Sequence, residues 1–125
     1  MVDLELVRAI IEWVDAPTQE DRQQDTYAFD LVVEKESRRC AANKVPLLGY
    51  RGLLNGHHSA FILHIDGRID FGSEEEWPTP TESNFFNIRK KIIKDGEYVT
   101  QNYDGTEYTY KITKVINLLN EATRV

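Results

Sequence analysis

With a single cysteine, Cys40, this chain of 125 residues cannot cross-link itself, so a packed core must hold it together, and a chain of this length can build one. No stretch approaches the roughly 18 apolar residues of a membrane helix. The opening Met1-Val2-Asp3-Leu4-Glu5 has no basic segment leading into an apolar run, which predicts no signal peptide. Together with the lone cysteine this predicts a cytoplasmic protein. Basic residues are in the minority, 15 against 21 acidic ones, for a net charge of −6. Such a surface repels phosphate backbones and disfavours nucleic acid as a partner. Also missing are a Walker lysine loop, a dinucleotide glycine fingerprint, a serine nucleophile elbow and any zinc-ligand spacing, so neither cofactor nor metal is expected.

What remains is ordinary globular material, 41% hydrophobic and 29% charged, of a size that suits one domain over residues 1–125. Leu4, Val7, Ile10, Ile11 and Val14 recur at helical spacing behind Asp3, and Ala16-Pro17 ends the pattern, which predicts a first helix. Residues 17–26 are polar and read as a loop or a loose helical turn. Tyr27 to Glu34 alternates as a half-buried strand. Residues 37–55 resist assignment, with a short helix possible around 39–43 before a glycine-containing loop. Residues 58–72 read as a hairpin turning at Asp66-Gly67, with Ile62, His64, Ile69 and Phe71 on one face and His64 in the core.

Thr79, Pro80 and Glu82 compose a capping box for a helix carrying Phe85, Ile88 and Ile92 inward and ending at Gly96. A second hairpin over about 97–112 turns at Asp104-Gly105, with Val99, Tyr103, Tyr108, Tyr110 and Ile112 sharing a face. Residues 114–122 suggest a last helix. The sum is an α+β fold: an antiparallel sheet of hairpin-linked strands with helices packed on one face.

Charge is uneven along the chain. Residues 37–60 hold Arg38, Arg39, Lys44 and Arg51 with no acid, together with several glycines and the pair His57-His58. Glycine loops let backbone N–H groups approach an anion, so Arg38, Arg39, Arg51, His57 and His58 form a candidate anionic-ligand site. The competing explanation is that these charges balance the acidic first segment within the fold. Cys40 with His57 or His58 and Asp66 or Asp70 supplies the residue types of a thiol hydrolase, but no nucleophile motif surrounds Cys40, and a lone cysteine is more often a small buried hydrophobe. Arg89, Lys90, Lys91 and Lys94 are explained as charges favoured at a helix C-terminus.

The acidic run Glu74-Glu75-Glu76 followed by Trp77 joins charge to an aromatic anchor and is the candidate partner contact. With no catalytic motif, the leading expectation is a small acidic protein acting by protein–protein contact, of the inhibitor or immunity type. The alternative is a small enzyme or anionic-ligand binder using the basic loop region between Arg38 and His58.

Overall fold

The computed structural model describes residues 3–52, 59–72 and 84–119. Its elements in chain order are β1 (Leu4–Trp13), α1 (Gln19–Gln24), β2 (Tyr27–Glu34), β3 (Leu47–Arg51), β4 (Ser59–Leu63), β5 (Ile69–Asp70), β6 (Asn84–Phe86), a 3-10 turn (Ile88–Lys90), β7 (Tyr98–Tyr103) and β8 (Thr106–Asn117). The strands form one eight-stranded sheet in the order β5-β4-β3-β2-β1-β8-β7-β6, every ladder antiparallel. Each strand therefore lies beside its neighbour in sequence, and β8 returns to β1. The last gap, between β5 and β6, is bridged by the Arg68↔Phe85 pair and by the Phe86 N–H donating to the Gly67 carbonyl at 2.9 Å. The result is a nearly closed up-and-down barrel.

This corrects the α+β expectation. No layer of helices covers the sheet; the core lies inside the barrel, and α1 is the one α-helix longer than a turn among the described residues. The first predicted helix is strand β1. Val7, Ala9 and Ile11 point inward, fully buried, while Leu6 and Ile10 put apolar groups on the outside too. With both faces apolar, the segment matches helical and strand periodicity alike, and the β-branched residues and the partners on either side decide for strand.

Of the last predicted helix, residues 114–117 are the end of β8, 118 and 119 begin a helical turn, and the rest lie outside the described residues. A bulge shifts the β1–β8 register between Ile10 and Ile11, where Ile10 pairs with Lys114 but Ile11 with Ile112. Thr113 is the extra residue, and its hydroxyl donates to the Ile10 carbonyl at 3.4 Å. The inward positions are Tyr110 and Ile112 before the bulge and Val115 after it. That change of parity breaks the alternation and imitates a helical stripe.

The predicted helix running to Gly96 is likewise replaced. Asn84 and Phe86 of β6 point inward, the chain bends at Asn87, and Ile88 and Ile93 turn back into the core. Thr79, Pro80 and Glu82 of the capping box lie outside the described residues.

The Asp66-Gly67 hairpin exists with a different register. The His64 N–H donates to the Arg68 carbonyl and the Gly67 N–H to the His64 carbonyl, making a three-residue loop with Gly67 in the left-handed region. One added loop residue reverses every side chain on one strand relative to the other. Phe61, Leu63 and Ile69 therefore point inward. His64 lies outside, its Nε2 3.0 Å from Asp70 Oδ2, and is not a core histidine. That bond, with help from the Gly72 N–H, holds the Asp70 carboxyl below its usual range. The Asp104-Gly105 hairpin has the two-residue turn expected of it, with positive φ at both positions and Tyr103 opposite Thr106.

Phe29, Phe61 and Phe86 fill the middle of the barrel, with the Phe29 ring centroid 5.5 Å from Phe61 and 5.2 Å from Phe86, an edge-to-face cluster that Tyr27 and Tyr110 extend. Eight strands enclose a space that side chains can fill or that can keep room for one small ligand. No described helix is long and apolar enough to cross a membrane.

Candidate functional site

The two ends of the barrel differ. One is closed by the β2–β3 and β6–β7 connections, which bind each other: Arg39 bridges to Ile92, and the Ile93 N–H donates to the Arg38 carbonyl at 2.7 Å. Ile88, Ile93 and Cys40 are buried beneath them. Arg89 fastens this end to the sheet by donating to the carbonyls of Val45, Leu63 and His64 at 2.8 to 3.1 Å. Burial among these carbonyls pulls its pKa down from the ordinary arginine range.

Among the described residues, the opposite end is open. A cavity of about 230 Å³ there is lined by Trp13, Asp25, Tyr27, Arg51, Asn84, Gln101, Tyr103, Tyr108 and Tyr110. The topology gathers these residues. Trp13 ends β1, Tyr27 begins β2, Arg51 ends β3, Asn84 begins β6, and the three remaining tyrosines flank the Asp104-Gly105 turn. Asp25 follows α1, whose first turn is capped by the Thr18 hydroxyl accepting from the Asp21 N–H at 3.0 Å.

At the mouth, the Arg51 guanidinium donates to Asp25 Oδ1 through Nη2 at 2.6 Å and Nε at 3.2 Å, and it stands 5.9 Å from the centre of the Tyr27 ring. Burial works against its charge, but Tyr27 and the Asp25 carboxylate outweigh it and raise the Arg51 pKa. Arg51 and Asp25 thus form an ion pair of opposite formal charge at the mouth.

At the floor lies a hydrogen-bonded chain. The Tyr110 hydroxyl donates to Gln101 Oε1 at 3.0 Å, and Gln101 Nε2 donates to Asn84 Oδ1 at 2.9 Å. Gln101 and Asn84 are only 5% and 6% exposed, so polar groups sit where a filled barrel would carry apolar ones. Burial first, with the Asp25 charge, pushes the Tyr27 hydroxyl up to about 12, against the pull of Arg51 and the Gln101 amide. Burial raises Tyr110 further still. Both remain protonated hydroxyls across the physiological range.

Of the described residues expected to bind an anion, only Arg51 belongs to this cavity. Arg38 and Arg39 are at the closed end. Tyr27 pairs with Arg51 and Val33 with Cys40, six residues apart on β2, a separation of about 20 Å at ~3.3 Å per residue. Arg38 is engaged with Glu5 at 3.4 Å, a contact of the charge-balancing kind, and Arg39 is exposed. The structure therefore does not bring these three arginines together. His57 and His58 lie outside the described residues, as do Glu74, Glu75, Glu76 and Trp77. Among the described residues no group of three or more His, Cys, Asp or Glu could hold a metal ion.

Sequence reading missed Gln101, Asn84 and Asp25. The signal for Gln101 was present, because it falls between Val99 and Tyr103 on the apolar face of an otherwise clean alternation. A polar residue at such a position is paired with another or faces a cavity. Nothing comparable marks Asp25, which the turn after α1 brings to Arg51.

Cys40 is 8% exposed, and burial raises its thiol to about 11. It is a core residue, with Sγ 3.9 Å from the Ile88 carbonyl oxygen. The thiolate needed for a hydrolase is absent at neutral pH. In the folded protein at pH 8, Cys40 should resist iodoacetamide and react only after urea unfolding; rapid alkylation of the native chain, read by intact mass, would contradict this burial.

No protein-family model, curated protein or solved structure matches the chain. The cavity's own chemistry has to carry the functional reading.

Proposed function

We propose that this protein is a binding barrel that takes one small molecule into the open-end cavity around Arg51 and Gln101. The observation that carries the reading is the buried Tyr110–Gln101–Asn84 chain at the cavity floor. Buried side-chain amides cost stability unless their partners are complete, and an interior that needed only to be stable would be filled with apolar groups. An aromatic wall with a few convergent polar groups is the usual make-up of a ligand pocket. The volume, below the roughly 300–1,000 Å³ of drug-sized sites, suits a single ring or a fused pair. The groups that line the cavity among the described residues are aromatic rings, amides, hydroxyls and one ion pair, which suit binding.

The test is a screen of one- and two-ring fragments by ¹H–¹⁵N correlation spectra. Binding should concentrate shifts on the Asn84 and Gln101 side-chain amides and the Arg51 Nε–H. A screen in which no fragment moves these signals would overturn the reading.

Protein–protein contact is the second reading. Leu48 and Ile62 are partners in the β3–β4 ladder and are 52% and 39% exposed on the outside of the barrel. Apolar groups side by side on a surface are what a protein contact uses. The acidic run at Glu74–Trp77 is the other candidate surface for it.

A further inference from the structure

The ligand class follows from which hydrogen bonds the cavity has left unmade, and the inference rests on the open-end cavity being the binding site. The side-chain amide of Gln101 has its oxygen committed to Tyr110 and its nitrogen to Asn84. Asn84 accepts that bond through Oδ1, so the group it has left is the Nδ2 amide, a donor. Asn84 is 94% removed from solvent, lines the cavity, and has no acceptor for Nδ2 among the described residues. Beside it, the Tyr27 hydroxyl, also a cavity group, takes a hydrogen bond from the Gln101 amide and keeps its own proton to donate. The floor thus presents two donors, Asn84 Nδ2 and the Tyr27 hydroxyl proton, beside the second lone pairs of the Gln101 and Asn84 amide oxygens.

Charge separates the two kinds of acceptor that could satisfy them. Arg51 and Asp25 cancel at the mouth, so a carboxylate entering the cavity would be desolvated beside a carboxylate that already holds the one cation lining it among the described residues. A neutral carbonyl meets no such opposition. The walls, Trp13, Tyr103 and Tyr108, offer aromatic surface to a flat ring; Trp13 and Tyr108 already meet edge to face at 5.7 Å.

We infer that the ligand is an uncharged, planar ring compound bearing a carbonyl group, such as a lactam, with the carbonyl oxygen accepting from Asn84 Nδ2 and the Tyr27 hydroxyl. Binding is independent of pH between about 6 and 9, since neither donor titrates there.

Three probes of one shape test this by calorimetry: 2-quinolone, quinoline and quinoline-2-carboxylate. 2-Quinolone should bind at least tenfold more tightly than either of the others. Asn84→Asp keeps the acceptor for Gln101 and replaces the free donor with a carboxylate oxygen; it should abolish the preference. Tyr27→Phe should reduce it several-fold in a protein whose thermal melt remains cooperative, which guards against reading misfolding as lost recognition. Equal or tighter binding of the carboxylate would overturn the inference and leave the cavity standing as a site. Failure of all three probes, alongside a fragment that shifts the cavity amides, would also overturn it, whereas silence from every fragment removes the site itself.

Discussion

Phe29→Ala should cost about 3–5 kcal/mol, the range for truncating a fully buried phenylalanine. Phe29 has no exposed surface and lies mid-way along β2, with its ring against Phe61 at 5.5 Å, Phe86 at 5.2 Å and Tyr27 at 6.4 Å. Phe61 and Phe86 come from two other strands, β4 and β6, so the void cannot be closed by moving one strand. β2 is tied by ladders on both sides, to β1 and β3, and relaxation is correspondingly small. Against a total stability of about 5–15 kcal/mol for a domain, the loss should bring down the urea midpoint with little change in slope. Phe29→Leu, which keeps most of the volume, should cost far less. A Phe29→Ala midpoint within about 1 kcal/mol of the parent would mean that the aromatic cluster does not form the core.

The same cluster shows how much of the fold could be read in the chain. Tyr27, Phe29, Leu31 and Val33 alternate with less apolar neighbours, and this strand is where the sequence predicts it. The Asp104-Gly105 hairpin is equally legible, because a two-residue turn needing positive φ twice is written in those residue types. Both elements depend on local information. The misread elements depend on partners. Leu4 to Val14 has apolar residues on two faces, and only pairing with β2 and β8 makes it a strand. Lys114 to Asn117 looks helical because the Thr113 bulge changes the parity of β8, and a bulge is set by the neighbouring strand. Once β1 and the end of β8 are taken for helices, no ring of strands can close, and an open sheet with helices on it is the only fold left.

The candidate site divides in the same way. Arg51 was legible as a charge in a region free of acids, and its partner was not, since Asp25 precedes it by 26 residues. Arg38 and Arg39 are near Arg51 in sequence and yet at the other end of the barrel, because β2 and β3 run antiparallel and the connection between them belongs to the closed end. The two buried amides are 17 residues apart and meet only through the β6–β7 ladder, where Phe86 faces Gln101 and Asn84 faces Tyr103.

Gly67→Ala should open the barrel's seam. Gly67 has φ +94°, where an alanine is strained by about 1–2 kcal/mol, and a Cβ there would overlap the carbonyl oxygen of Phe86. That obstacle is backbone and cannot swing aside. It is also the backbone that accepts closure, since the Phe86 N–H donates to the Gly67 carbonyl at 2.9 Å and Arg68 bridges to Phe85. With so few bonds between β5 and β6, moving these chains apart loses most of the seam. Gly105→Ala is the control: its φ is +87° and a Cβ there would meet nothing within 4 Å, so it carries the backbone strain without the overlap. The expected result is about 1 kcal/mol lost at Gly105 and about 3 kcal/mol or more at Gly67, with faster hydrogen exchange at the Phe86 amide in the Gly67 variant alone. Equal losses at the two positions, with the Phe86 amide still protected, would show that the seam tolerates the methyl and that closure does not depend on this glycine. The unequal result would tie closure to the site as well, because β6 carries both Phe86 at the seam and Asn84 at the cavity floor. A barrel opened at Gly67 should then lose its small-molecule ligand along with its stability.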